Sequence, residues 1–486
     1  MKRKKKAWID LKNNRISYKD YRKTANSVTK ELKLIKKKYE DKLFQSNNKK
    51  QFYSYINRIL NEDHCIPRLK LNEQELTDEE AANLFVMHFK SVYEPESQVI
   101  TFDIESDPED ISEEELVMSL KRITPSKPAG EDGIHPTIIH NCFYELIEPL
   151  HQLYNKSLRE RKVPNGLKKS RVTPIFKSGN RYDVKNYRPI HVTDALSKPL
   201  ESIMMQRMQK HLVETNFKNE NQHGFCQKRS VTTNLLESTY DWINSLDQNL
   251  VTHVIYFDFS KAFDKMNINR LLIQMRTLCF PEYIISWTQD YLRNRSMHVR
   301  IGNKTSIDVH ITSGVPQGSV LGPFLFRLYV SSTPTLSFCK LKQFADDVKL
   351  YASFNPNSIT AHKSIQEDVN TFVMWTQDNL QMTLNSSKTT VLHIGSKNPK
   401  HNYFIDKTKL NQTNYQRDLG ILISRDLSFE KHIFNTIQST FGIIYMIKKS
   451  FTSLTKKQFM IIYKFRWSSS KSSTTILCFA IKLNRN

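Results

Sequence analysis

Apolar positions along the chain alternate between a helical and a strand period. Near the start, Val28, Leu32, Ile35, Tyr39 and Leu43 recur at spacings of three and four with lysines between them, which predicts an amphipathic helix. "SEEE" predicts another, with Ser112 as N-cap and Glu115 closing a capping box. "PSKPAGEDGIHP" (125–136) reads as a loop before a helix over 137–159. "RVTPIFKSGNRYDVKNYRPI" (171–190) predicts a strand, a turn at "KSGN" and an extended return. Helices follow through "DALSKPLESIMMQRMQKHLVE" and from near Ser230. "THVIYFDFS" (252–260) has the β-branched and aromatic content of a strand. "KAFDKMNINRLLIQM" continues as a turn and helix, and 297–315 reads as a hairpin around "GNK". A loop at "PQGS" starts a helix near Ser319; "LKQFADDVKLYASF" gives two short strands; a helix spans 361–380. "TTVLHIG" and "DLGILISRDLSFEKHI" add strands, and 432–465 is helical. Mixed short strands and helices define an α+β chain.

Chemistry enters at "QFADDVKLY". Asp346 and Asp347 lie side by side between apolar neighbours. Like charges that close repel, and burial makes the cost worse. A bound cation would offset it; a solvated hairpin tip would avoid it. Asp258 ends the "YFDF" strand far upstream, so only the fold can unite the three. If the two strands are sheet neighbours, the carboxylates face each other. Magnesium takes oxygen ligands, usually one or two carboxylates plus substrate phosphates, and two such ions about 3.5–4 Å apart suit phosphoryl chemistry.

Charge narrows the partner. Among 486 residues, 72 Lys and Arg oppose 49 Asp and Glu, a net +23. Basic chains bind phosphate polymers by releasing counterions. Residues 1–50 hold 18 basic and 5 acidic residues, so +13 sits there. The span 101–120 holds eight acidic residues and no basic one, and 102–115 reads as a linker. The hydrophobic fraction of 39% supports a sizeable core. Six scattered cysteines form no C-x-x-C pair, which disfavours a zinc knuckle or a disulfide framework and fits a reducing, intracellular setting. The basic start has no apolar segment behind it, so no secretory signal is expected. The run 314–330 contains Pro316, Gly318, Pro323 and Arg327 and is too short for a comfortable span, so no membrane segment is expected.

Eight motifs in order, "KPAGEDGIHP", "TPIFKSGNRYDVKNYRPI", "HGFCQKRSVTTNLLE", "YFDFSKAFDKM", "GVPQGSVLGPFLF", "FADDVKLY", "LNSSKT" and "LGILISRDLSF", make the chain resemble the reverse transcriptases of non-LTR (LINE-type) retrotransposons over roughly 115–450. The resemblance implies a right-hand polymerase of fingers, palm and thumb, with an antiparallel palm sheet packed on helices. It implies RNA-directed DNA synthesis with two Mg2+ ions, Mn2+ being an alternative. Asp258 and Asp346 would be metal ligands, Asp347 a supporting carboxylate, and Phe259 would offer a backbone carbonyl. Phe263 would lie beneath the incoming sugar and exclude a 2′-hydroxyl. Lys177 and Arg188 would grip the triphosphate, Gln317 and Gly318 would meet the template base and nucleotide, and Lys388 would protonate the leaving pyrophosphate. Lys228 and Arg229 would hold the template, and "LGILI" (419–423) the primer terminus. "HGFCQKRS" departs from the family at Cys226 and Gln227.

The domains expected are a basic helical region with an acidic linker (1–110), fingers and palm (111–405), a thumb-like segment (406–466) and an atypical tail (467–486). No endonuclease domain fits ahead of residue 115, and the tail suggests a truncation or shifted frame. Expected partners are an RNA template, a DNA primer, their hybrid and dNTPs. The expected compartment is the nucleus or cytoplasm, by analogy. A catalytically weak nucleic-acid-binding relic is the alternative; a maturase-like helper fits less well, since no added segment after 450 matches one.

Overall fold

The computed structural model describes residues 2–46, 48–60, 66–71, 74–101, 107–451 and 454–467. Part of the acidic stretch, 102–106, and the tail from 468 lie outside them. The chain divides into two compact units: one runs from Ile66 to Ser428, and the other combines the segments on either side.

In the flanking unit, helix Tyr18–Gln45 starts at Ser17, whose side chain accepts from the Asp20 amide. Val28 and Leu43 are buried as the periodicity requires, but Leu32, Ile35 and Tyr39 are exposed. The apolar centre of this unit is a cluster of Leu43, Phe44, Phe52, Tyr55, Ile56, Ile447 and Phe451. The expected helical stretch 432–465 is two helices, Glu430–Ser450 and Lys456–Trp467.

The larger unit carries two five-stranded sheets. Its principal strands are β1 (Lys169–Phe176), β2 (Tyr187–Val192), β3 (Val251–Phe257), β4 (Arg295–Ile301), β5 (Lys340–Phe344), β6 (Asp347–Phe354), β7 (Thr390–Ile394) and β8 (Asn411–Thr413). The fingers sheet runs β2-β1-β4 and ends on Lys304–Thr305, with Val309–Ile311 also paired to β4. The palm sheet runs β8-β7-β3-β6-β5. Its inner pairs are antiparallel and only the β7–β8 edge is parallel.

Every residue of β3 is buried, which is why it reads as a continuous apolar run: both sheet faces are covered. Helix α1 (Val231–Asp247), capped by Ser230, lies over one face. There Trp242 meets Tyr351 edge-on at 5.8 Å. Helix α2 (Ala361–Asp378) covers the other, with Phe372 4.6 Å from Phe257. Fully burying such a side chain stabilises the fold by about 1.5–3 kcal/mol.

Local signals set most element starts. Ser112 and Glu115 form the expected capping box. The helix expected over 137–159 is broken at Cys142 into Pro136–Asn141 and Phe143–Glu160. The helix expected near Ser319 begins only at Gly322. The Ser319 hydroxyl accepts from the Gly322 amide at 3.0 Å, while Gln317 and Gly318 are held by the fingers instead. Among the described residues no helix is long and apolar enough to cross a membrane.

Candidate active site

β5 and β6 are joined by the two-residue turn Ala345–Asp346. Ala345 has φ 57° and Asp346 does not share a positive φ, as in a type II′ hairpin turn. The register of β6 against β3 ends at Val348 opposite Phe257. One further step sets Asp347 across from Asp258, and directly opposed residues share a face. That face also carries Tyr256 and Lys349, and with Asn234 of α1 these residues line a cleft of about 320 Å³. Lys388, Asp418, Leu419 and Gly420 complete it. Leu419 and Gly420 have φ 45° and 95°, so the "LGILI" segment enters the cleft as a tight hairpin tip.

The carboxylates are under electrostatic pressure. Burial pushes Asp346 up, and the charge of Asp258 adds to it, while Arg188 and Lys177 pull it down. Asp347 is pushed up to about 6, first by burial and then by Asp346, Asp418 and Asp258. The Asp346 carboxylate accepts from its own backbone amide; among the described residues, none of the three acids has an ion pair or a side-chain hydrogen bond to another residue. Acids crowded this way favour a cation.

The backbone adds a donor. The Asp258 carbonyl accepts from the Asn385 amide at 2.8 Å, on the β7 side of the strand. Phe259 bridges Leu384 as a non-hydrogen-bonded pair, so its own carbonyl turns to the opposite side, where β6 begins. Carboxylates plus a carbonyl are hard oxygen ligands that fit a divalent ion. Among the described residues no three His, Cys, Asp or Glu side chains converge to hold a metal by themselves, so substrate phosphates would have to complete its shell.

Cations surround the acids. Lys177 follows β1 and donates its amide to the Asn186 carbonyl at 2.8 Å. Arg188 lies on β2 opposite Ile175. Both are near enough to act on Asp346, and with Lys388 they also act on Lys261. Burial and these neighbours lower the Lys261 pKa. Lys261, in a left-handed conformation at φ 55°, is a further cation that its position in a turn did not single out.

The "PQGS" loop is fixed between fingers and palm. The His191 amide donates to the Gln317 carbonyl at 2.8 Å. Gly318 has φ 132°, and a Cβ there would lie 2.3 Å from the His191 carbonyl oxygen, so only glycine fits. The Gln317 side-chain amide donates to Asp264 at 2.6 Å. Phe263 stacks on Phe326 with centroids 4.3 Å apart and packs against the palm core, partly buried.

The "QHGFCQKRS" loop is less open than its charge suggests. Lys228 is exposed with φ 60°. Arg229 instead directs its guanidinium to the carbonyls of Asn219, Glu220 and Gln222 at 3.2, 2.6 and 3.1 Å, which fastens the loop. Gln222, fully buried, accepts from the Gly224 and Ala345 amides at 2.7 and 3.0 Å. It thereby holds the turn that carries Asp346. Asp418 pairs with Lys349 at 2.6 Å in a buried contact beside Asp347. Gln222, Asp264, Lys349 and Asp418 lacked an isolated sequence signal, though a charged residue within a strand, as Lys349 is, points to a buried partner.

This chain belongs to the reverse transcriptase (RNA-dependent DNA polymerase) family, whose profile matches residues 167–421, more than half of its length. Members of the family generally use divalent metal ions. Among curated proteins it is similar to the probable RNA-directed DNA polymerase from transposon BS of Drosophila melanogaster, with 27% identity over 334 residues, 66% of this chain and 36% of the relative. It is also similar to the RNA-directed DNA polymerase from mobile element jockey of the same organism, with 25% identity over 337 residues, 67% and 36% of the two chains. The chain thus spans about a third of the length of these relatives. A solved apo telomerase from Candida tropicalis, truncated from its C-terminal domain, aligns at 14% identity with a TM-score of 0.38 over 60% of each chain.

Proposed function

We propose that the chain is an RNA-directed DNA polymerase of a non-LTR retrotransposon, extending a DNA primer on an RNA template with dNTPs. The observation that carries this is the meeting of Asp258, Asp346 and Asp347 at one end of the palm sheet, with Lys177, Arg188 and Lys388 around them. Carboxylates crowded together suit cations, and the cations around them suit a triphosphate.

In this reading Asp258, Asp346 and the Phe259 carbonyl would hold Mg2+, or Mn2+ in its place, with Asp347 in support. Two such ions, when bound, would activate the primer hydroxyl and neutralise charge on the phosphates. The primer 3′-hydroxyl gives up its proton to solvent, and its oxygen bonds to the α-phosphorus of the dNTP. The bond from the α-phosphorus to the bridging oxygen breaks, and pyrophosphate leaves. Lys177 and Arg188 orient the triphosphate, and Lys388 supplies a proton to the leaving group. Phe263 lies under the sugar and selects against a 2′-hydroxyl. Gln317 and Gly318 bear on the base pair, and Lys228 on the template, with Arg229 holding the loop that carries it. Catalysis is chiefly positioning and electrostatics. The site of action proposed is intracellular, in nucleus or cytoplasm, by analogy with related elements.

Primer extension by the purified chain on an RNA template with Mg2+ tests this. Extension that Asp346→Ala abolishes, with hybrid binding retained, is the expected result. Salt-sensitive binding without extension in the unaltered chain would instead make it a nucleic-acid-binding relic.

A further inference from the structure

We propose that Asp264 is a positioning residue that sets the orientation of the Gln317 side chain and, through it, nucleotide selection. The inference rests on the polymerase reading above. Asp264 is 4% exposed, and its Oδ1 accepts from Gln317 Nε2 at 2.6 Å. The two residues come from segments more than fifty positions apart, yet the backbone ties them closely. The Val315 amide donates to the Phe263 carbonyl at 2.9 Å and the Gly314 amide to the Met266 carbonyl at 2.8 Å. The Ser313 hydroxyl donates to the Asp264 carbonyl at 2.7 Å. A Cβ on Gly314 would fall 2.4 Å from the Phe263 carbonyl oxygen, so this approach depends on glycine.

The chemistry of the pair gives the bond direction. A glutamine amide can be turned end for end at little steric cost. An ionised carboxylate only accepts, so it admits the Nε2 end and turns Oε1 outward. Burial pushes Asp264 up to about 6, with Gln317 and Lys261 opposing. Gln317 is therefore fixed at two points: its backbone carbonyl on His191 of the fingers and its amide on Asp264 of the palm. Asp264 directly follows Phe263, so one short segment supports both the sugar-facing ring and the base-facing amide.

The experiment compares Asp264→Leu, Asp264→Asn, Gln317→Ala and the Asp264→Leu/Gln317→Ala double variant in primer extension by the full chain. Single-nucleotide KM, kcat and mismatch insertion are read, with thermal melting as a control. Asp264→Leu should raise the KM for the correct dNTP about tenfold, as expected for losing one hydrogen bond to a charged partner, and raise mismatch insertion with kcat little changed. Asp264→Asn, which keeps an acceptor, should recover most of the KM. In the Gln317→Ala background, Asp264→Leu should add little. Multiplying effects of the two changes would overturn the proposal, as would no KM recovery in Asp264→Asn that melts like the unaltered chain. An unaltered chain that extends no primer would sink the polymerase reading itself, a separate outcome.

Discussion

The central strand β3 has polar groups at both ends, and the two ends behave differently. At one end, His253 is fully buried. Its Nδ1 meets the Tyr403 hydroxyl at 2.5 Å and its Nε2 the Asn398 Oδ1 at 2.8 Å. Both ring nitrogens are satisfied in the neutral state, and burial, with His393 second, lowers the pKa to about 3. At the other end, Asp258 faces Asp346 and Asp347, and these acids have no such partners among the described residues. The same sheet closes one polar cluster on itself and leaves the other open to a cleft. A closed cluster specifies the fold; an open one, with acids forced together in a cleft, is a functional-site candidate.

Removing an acid at the open end breaks this comparison most strongly. Asp258→Asn is expected to reduce primer extension on the order of a thousandfold, since the ion it would hold contributes several kcal/mol to the transition state. Hybrid binding, measured by anisotropy, should persist. Equal extension rates would count against the assignment.

Next in size is the support of the open end. A Cβ on Gly224 would lie 2.5 Å from the Ala345 amide nitrogen. Gly224→Ala should therefore destabilise the fold by about 1–3 kcal/mol, as overpacking does, and lower kcat by displacing the Asp346 turn. Denaturant melts and single-turnover rates together read this out; an unshifted midpoint would show that the turn can give way freely.

At the closed end, Tyr403→Phe leaves His253 Nδ1 buried without its donor. A loss of about 1–3 kcal/mol is expected, with extension per folded molecule unchanged. A fall in kcat at unchanged stability would mean that this end also serves the reaction.

The smallest effect distinguishes the ends by sign. The folded pKa of His253, about 3, lies below its ordinary 6.5. Across that window the unfolded chain binds more protons, so this end loses stability as pH falls from 6.5 towards 3. The folded pKa of Asp347, about 6, lies above 3.8. Here the folded chain binds more, so this end gains stability as pH falls from 6 towards 4. Because Asp347 remains open to solvent, its share is muted by screening. Denaturant midpoints between pH 7 and 5 should lose that gain in Asp347→Asn, and an unaltered slope would argue against the crowding of charge.

How much of this was legible in the sequence follows the same divide. The order of motifs and the two strand patterns point to a palm with Asp258 beside the "ADD" turn, because β-branched and aromatic runs and adjacent carboxylates are local signals. Capping at Ser112 and the helix start near Ser230 are legible for the same reason. The late start of the helix at Gly322 was not: the loop before it is tied to His191, far away in the chain. Arg229 reads as a free template cation until its carbonyl partners are seen. Gln222 and Asp264 act through a single bond to a distant segment, and no spacing rule marks such a bond. Likewise the closed histidine end joins residues 253, 398 and 403 only through a loop that returns to the strand.

The most direct test is cation binding itself. Mn2+ binding to the full chain, with primer, template and a non-hydrolysable dNTP analogue, can be followed by electron paramagnetic resonance. Tight Mn2+ binding that Asp258→Asn and Asp346→Asn each weaken at least about tenfold, one lost charged ligand each, while Tyr403→Phe leaves it intact, is the predicted result. Binding of equal strength in both aspartate variants would contradict a metal site at the open end of the sheet.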